Sequence, residues 1–276
     1  MTAVDTASAL LPESERASAL LTEAVQVPLY ADPGCEPQRV LAQVQSWAAQ
    51  LRVRVAADAS PFARLRLLNH FFFSELGFAA AGDDYQSAQN SYLHRVIERR
   101  RGIPITLSLL YMELGKAAGL RLEGVSFPGH FLVRLSLNAG AVLIDVFAGG
   151  ITLSTEDLRQ RLRATLPDES DPPLAPYLRA ASEPEILGRL LRNLKAIHWQ
   201  AQEWAAALEV VTRLVVLLPD AVQERLDRAR LYERLECPRA AADDLVAYLS
   251  WMPSPPDADE VNQRLASLKQ AASRLH

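Results

Sequence analysis

The chain has 276 residues, of which 49% are hydrophobic and 22% charged, with a formal net charge of −4. This composition is typical of a folded globular protein and excludes a disordered one, and the negative charge disfavours nucleic acid as a partner. Because no apolar run approaches the roughly 20 residues of a membrane helix and the N-terminus lacks the basic start of a secretory signal, we expect a cytoplasmic protein without membrane contact.

The N-terminal part of the chain carries apolar residues at helical spacing. Ser60 followed by Pro61 is a typical helix start. The helix that begins there contains phenylalanine at 71, 72 and 73, and three consecutive side chains cannot share one face, which predicts burial on most sides. The predicted helices are 14–29, 37–57, the one from Ser60, one from Asn90 or Ser91 to Gly102, and one from Pro104 to Gly119.

The pattern changes after Gly119. Three short stretches rich in β-branched and aromatic residues follow at 122–127, 130–137 and 141–147. Asn138 to Gly140 is typical of a hairpin turn. Helices followed by adjacent strands predict an α+β domain with a small antiparallel sheet, which we place at 14–165. A capping box at Ser154 or Thr155 begins its last helix.

The remainder of the chain is predicted as a linker followed by a helical module. Residues 166–181 are rich in proline and acids, which is typical of a linker, and 182–273 are helical throughout. Pro219 and Pro253 stand 34 residues apart, the period of tetratricopeptide repeats. Counting back from each proline gives the pairs Leu194–Arg228, Lys195–Ala229, His198–Tyr232, Ala207–Ala241 and Val211–Leu245. An ordinary helical bundle with a coincidental period is the alternative.

His130 and Asp145 are the main candidates for chemistry. His130 is predicted to begin one strand and Asp145 lies in the next, so an antiparallel hairpin can place them side by side. A carboxylate beside an imidazole fixes its tautomer and raises its basicity, as a general base requires. The alternatives are a histidine bonded for structural reasons and a binding cleft that has lost its chemistry.

The segment NSYLHRVIERRRGIPITLSLLYMELGKAAGLRLEGVSFPGHFLVR resembles the SirB-type, transglutaminase-like proteins of bacteria, whose members follow this core with tetratricopeptide repeats. The resemblance implies a transglutaminase-like fold, and Gly102, Gly119, His130 and Asp145 match its pattern. The position of the catalytic cysteine falls on Pro104, which has no nucleophilic atom. The resemblance therefore implies the fold of the family but not its catalysis.

An enzyme would need another nucleophile. Thr106 and Ser108 carry hydroxyls in the first turns of the same helix, although Thr106 points about 200° around the helix from Pro104. A first-turn hydroxyl ordinarily satisfies free backbone N–H groups. Cys35, reaching the site from a distant segment, is a further alternative. Neither Cys35 nor Cys237 has a metal-ligand spacing, so we expect two reduced thiols, no metal and no cofactor.

A group of basic residues precedes Gly102, namely His94, Arg95, Arg99, Arg100 and Arg101. Cations at a helix C-terminus complement the helix dipole, and a site for an anion or an acidic partner is the alternative.

The predicted function is non-catalytic, regulatory protein or peptide binding, through the repeats and the His130 cleft. The candidate binding residues are His130, Asp145, Arg99, Arg100, His198 and Tyr232. The first alternative is a hydrolase or acyl transferase that uses His130 and Asp145 with Thr106 or Ser108 as the nucleophile. A third possibility is a scaffold that uses only the repeats.

Overall fold

The computed structural model describes residues 17–138, 140–166, 172–252, 255 and 257–274. The chain separates into two compact units, and the boundary along the chain lies between Leu187 and Gly188. Parts of four predictions lie outside the described residues: the start of the first helix (14–16), Ala139 of the hairpin turn, 167–171 of the linker and the repeat residue Pro253. Within the described ranges, no helix is long and apolar enough to cross a membrane.

Helices form the N-terminal part of the first unit: α1 (Ala19–Ala24), α2 (Pro37–Arg52), α3 (Pro61–Asn69), α4 (Leu93–Arg99) and α5 (Pro104–Ala117). The first predicted helix was too long, since Pro28 lacks an N–H and the chain tightens there into a 3₁₀ turn. The second ends five residues early, at Arg52. The next apolar residue, Val53, is 84% exposed and has no core to pack against.

The phenylalanine run continues α3 as a π-helix, His70–Glu75. Phe71 and Phe72 are buried, and Phe73 is half-buried. Phe72 stacks on Phe78 with ring centroids 4.6 Å apart and meets Tyr111 edge-on at 5.4 Å. The phenylalanine run is therefore buried or half-buried, but the prediction of burial on most sides was wrong for the helix as a whole, because Phe62, Arg66 and His70 are exposed.

Helix α5 is the buried centre of this unit, with ten of its residues buried. Pro104 occupies the first helical position, where no backbone N–H is needed. A glycine allows close packing against the sheet, because a Cβ at Gly115 would stand 2.2 Å from Cδ1 of Leu122 and would displace that side chain.

Four strands form the main sheet in the order β3 (Leu122–Val125), β4 (Leu132–Leu137), β5 (Gly140–Asp145) and β6 (Ile151–Leu153), all antiparallel. A separate parallel pair joins β1 (Ala79–Ala80) to β2 (Arg101–Gly102). The prediction of three strands missed β6, whose three residues are too few to show an alternating pattern.

The prediction that His130 begins a strand was wrong. The turn at Pro128–Gly129 continues through His130, whose N–H donates to the carbonyl of Phe127 at 3.1 Å, and β4 begins only at Leu132. The hairpin prediction is confirmed, since Leu137 pairs with Gly140.

Helix α6 (Thr155–Thr165) closes the sheet, and its capping box at Ser154 is present as predicted. Its Leu158 and Leu162 pack against Val125, Phe127, Leu132 and Leu143. Part of the segment predicted as a linker covers the same cluster, because Leu174, Tyr177 and Leu178 pack on it. The N–H of Ala181 also donates to the carbonyl of Gly124 on β3.

The C-terminal helices are α7 (Glu183–Gln200), α8 (Trp204–Leu217), α9 (Val222–Arg234), α10 (Pro238–Trp251) and α11 (Ala258–Ser273). The repeat is confirmed in the backbone: α8 and α10 begin 34 residues apart and end 34 residues apart. The left-handed residues before them, Gln202 and Glu236, have φ of 58° and 56° and the same separation. Ala207 and Ala241 are fully buried, as close helix packing requires.

Candidate functional site

His130 and Asp145 are hydrogen-bonded, with 3.0 Å between Nε2 of the imidazole and Oδ1 of the carboxylate. The Asp145 side chain is 2% exposed and that of His130 is 19% exposed. Because the carboxylate accepts at Nε2, it favours the tautomer in which Nδ1 carries the lone pair. Among the described residues Nδ1 has no hydrogen-bond partner. The imidazole therefore presents an acceptor that remains available.

The Asp145 carboxylate is saturated with donors. Besides His130, Oδ1 accepts from the backbone N–H of Ala148 at 3.0 Å, and Oδ2 accepts from Nη1 of Arg161 at 2.6 Å. Burial alone would raise the pKa of Asp145, but the hydrogen bonds from His130, Arg161 and the Ala148 N–H outweigh it and lower the pKa to about 2. Asp145 is thus a fixed negative charge that orients both partners.

The turn after β5 positions Asp145. The N–H of Gly150 donates to the Asp145 carbonyl at 2.8 Å, and the Gly150 carbonyl accepts from Nδ2 of Asn69 at 3.2 Å. Gly150 has φ of 77°, and a Cβ there would stand 2.5 Å from Oδ1 of Asn69. Tyr111 of α5 donates to that same oxygen at 2.5 Å. The buried helix α5 and the last residue of α3 therefore hold the turn that carries the carboxylate.

A pair of aromatic rings extends from the imidazole, one in contact with it and the second in contact with the first. Phe147 meets His130 edge-on at 6.0 Å, and Tyr85 meets Phe147 at 5.9 Å. The Tyr85 loop is fastened to α4, because Arg99 pairs with the carboxylate of Asp84. Arg99, a predicted binding residue, thus fixes the loop that supplies one of these rings.

The candidate nucleophile positions at the beginning of α5 are all buried. Pro104 is buried. Thr106 is also buried, and its Oγ1 accepts from the Ile103 N–H at 3.1 Å and donates to the Asn90 carbonyl at 2.9 Å. Ser108 is buried, and its hydroxyl has no hydrogen-bond partner among the described residues. No hydrogen bond among these residues joins either hydroxyl to His130.

Cys35 lies elsewhere in the first unit, in a cavity of about 330 Å³ that Asp32 and His94 also line. Burial raises the pKa of its thiol, with the Asp32 carboxylate adding to the effect. Both features disfavour a thiolate nucleophile.

The predicted basic group does not form one anion site. Arg95 and His94 both bind Asp32, at 2.9 and 3.1 Å. Arg100 turns inward, with its guanidinium over the rings of Trp47 at 4.4 Å and Phe78 at 4.9 Å, and burial lowers its pKa. This residue ends α4 in the left-handed conformation, with φ of 57°. Arg100 is therefore a packing residue rather than an exposed cation.

The predicted repeat residues are partly engaged in packing. His198 is buried and its Nδ1 lies 2.6 Å from Oε2 of Glu203, and Tyr232 is half-buried against Arg228. Arg228, which stands where a leucine is usual, forms two hydrogen bonds of 2.7 Å to the buried Asp244. The departure from the repeat pattern is thus compensated by an ion pair.

Sequence reasoning missed Arg161, Phe147 and Tyr85. Arg161 lies on a helix whose pattern shows only amphipathicity, and its partner is known only once α6 packs beside β5. Within the described ranges, no group of three or more His, Cys, Asp or Glu could hold a metal ion.

The fold and the site define a transglutaminase-like core followed by a helical-repeat module. A sequence model described as the transglutaminase-like superfamily matches residues 38–192, and one described as a tetratricopeptide repeat matches 194–266. The chain belongs to the transglutaminase-like superfamily, in its SirB-type branch with C-terminal repeats.

Curated relatives extend over most of the chain. A UPF0162 protein of Xylella fastidiosa is 36% identical over 235 residues, covering 84% of this chain and 84% of that protein. UPF0162 protein PA3419 of Pseudomonas aeruginosa is 35% identical over 88% of this chain and 89% of its own length. F-box only protein 21 of Homo sapiens is 31% identical over 62% of this chain, which is 28% of that protein. No solved structure matches the chain.

Proposed function

We propose that this protein binds a protein or peptide partner without transforming it, and that its transglutaminase-like core is a pseudoenzyme. The observation that carries the proposal is the residue at the nucleophile position, the buried Pro104, in a core that keeps an ordered His130–Asp145 pair. An imidazole and a carboxylate can move a proton, but acyl transfer also requires an attacking atom.

The hydroxyl alternatives have obstacles of different kinds. The Thr106 hydroxyl is hydrogen-bonded to the backbone N–H and carbonyl of Ile103 at the start of α5. If its oxygen attacked a substrate, the Ile103 N–H would lose its acceptor. The Ser108 side chain is completely buried, so a substrate cannot reach its hydroxyl. A hydroxyl nucleophile must contact both its base and the substrate, and neither side chain offers this.

His130 suits a binding role better. Its Nδ1 is an acceptor, and the partly exposed Phe147 ring beside it, with the Tyr85 ring next to Phe147, supplies apolar contact area. Saturation of Asp145 by three donors keeps the imidazole in one orientation, which lowers the entropy lost when a ligand binds. A peptide N–H or a hydroxyl could donate to Nδ1.

The repeats supply the second part of the proposal. Tetratricopeptide repeats generally mediate protein–protein interaction, and repeat modules offer extended surfaces for partners. We infer that the partner contacts this module and that the His130 cleft contributes to recognition.

Panning a random peptide library against the immobilised full chain tests the proposal. Enriched peptides are expected to bind reversibly, and His130→Ala is expected to weaken the subset that uses the cleft. His70→Ala is the matched control, because the His70 side chain is 64% exposed and belongs to the same unit. Absence of any enriched peptide, or conversion of the peptides by the parent protein and not by His130→Ala, would contradict the proposal.

A further inference from the structure

A line of ion pairs joins the first helices of the two repeats. Nε of Arg192 on α7 donates to Oε1 of Glu224 on α9 at 2.7 Å. Nζ of Lys195 donates to Oε2 of Glu224 at 2.7 Å and to Asp227 at 2.8 Å. Nη1 of Arg230 completes the line, 3.2 Å from Asp227. The five side chains therefore form one continuous network.

The acidic side chains of this network are more deeply buried than the two arginine side chains. The Glu224 and Asp227 side chains are 4% and 14% exposed, whereas those of Arg192 and Arg230 are 45% and 43% exposed. Residues 188–276 contain 12 basic and 12 acidic residues, so the module has no net charge that would explain a cationic surface. The carboxylates lie beneath the guanidinium groups, and the network presents positive charge to solvent.

The exposed guanidinium groups keep unused donors. Arg192 uses Nε for Glu224, and among the described residues its two Nη atoms have no hydrogen-bond partner. Arg230 uses only Nη1. A guanidinium fork matches a carboxylate in geometry and binds it with charge-assisted hydrogen bonds. Because buried carboxylates hold the stems in place, less side-chain entropy is lost when a ligand binds.

We propose that this surface, the Arg192–Arg230 face, binds an acidic segment of a partner protein through its Asp and Glu carboxylates. The inference rests on the proposed function and names the chemistry of the partner. Charge complementarity indicates the kind of ligand, because two guanidinium groups that are held in position favour an anionic partner. A peptide is favoured over nucleic acid because the face carries only two exposed cations, in a module without net positive charge.

Fluorescence anisotropy of fluorescein-labelled hexaglutamate, titrated with the full chain at low salt, tests the inference. Hexaglutamate should bind and hexaglutamine should not. Arg192→Gln and Arg230→Gln should each weaken binding about tenfold. Lys269→Gln, which removes the same charge from an exposed position on α11, should leave binding unchanged. Melting curves verify that the variants fold. Arg192→Lys keeps the charge without the fork and should give an intermediate loss.

Reversal of charge gives the sharpest outcome. The double variant Arg192→Glu with Arg230→Glu should lose hexaglutamate and gain hexalysine. The inference is overturned if hexaglutamate does not bind, if the Gln variants bind it as the parent does, or if a single-stranded oligonucleotide binds more tightly through the same residues. Library peptides that lack acids and bind both Gln variants normally would overturn this inference and leave the proposed function standing.

Discussion

Replacing Asp145 by asparagine tests the electrostatic centre of the site. The pKa of Asp145 in the folded chain is about 2, against an ordinary value of 3.8. At about 1.4 kcal/mol per pKa unit, the ionised carboxylate stabilises the fold by about 2 kcal/mol. Because the folded pKa is the lower one, this contribution is fully present above about pH 4 and is lost as the pH falls toward 2.

Asp145→Asn should therefore lower the free energy of unfolding by about 2 kcal/mol at neutral pH, which corresponds to a melting temperature about 4–8 °C lower for a domain of this size. The difference from the parent should shrink as the pH falls from about 4 toward 2. Differential scanning calorimetry across that range measures both quantities. Asp58→Asn, at an exposed position in the same unit, should change neither. Equal stability of parent and Asp145→Asn at neutral pH, or a difference that persists at pH 2, would refute the reasoning.

Three further changes probe other parts of the molecule. Asp244→Ala should cost about 3–5 kcal/mol in urea unfolding because it leaves the largely buried Arg228 unpaired, whereas leucine at both positions should be nearly neutral. Gly150→Ala should lower stability by about 2 kcal/mol in thermal melts, since its φ is 77° and the new Cβ would collide with a side-chain oxygen. Arg99→Gln should speed amide hydrogen exchange in the loop 82–87, whose ion pair it removes.

Each of these changes has a matched control. Asp243→Ala alters the exposed neighbour of Asp244 and should have little effect. Gly149→Ala carries backbone strain without a collision, so its loss should be smaller than that of Gly150→Ala. Arg66→Gln, at an exposed position, should leave exchange in the loop unaltered. A variant that behaves like its control would show that the interaction assigned to it is absent.

Local signals in the sequence were sufficient for much of the fold. The 34-residue period requires only the spacing of prolines and small residues, and it recurs in the bounds of α8 and α10. The juxtaposition of His130 and Asp145 followed from strand order and turn chemistry, although His130 belongs to the turn and not to the strand. In both cases the information lies in residues that are close along the chain.

The parts that sequence reasoning missed depend on contacts between distant segments. Arg161 binds Asp145 only because α6 folds back beside β5. Arg100 resembles its basic neighbours in sequence, yet its left-handed backbone directs it onto Trp47. In the Arg192–Arg230 face, the carboxylates are buried and the guanidinium groups exposed only once α7 and α9 lie side by side. Charge alone does not indicate whether a side chain points inward or outward.

The most direct test of the central claim is mass spectrometry of a library-selected peptide after prolonged incubation with the full chain. If the core binds without catalysing, the peptide will be recovered with unchanged mass from the parent and from His130→Ala alike, and no adduct will form on the protein. Cleavage or modification of the peptide by the parent protein, abolished in His130→Ala, would contradict the account and establish an enzyme.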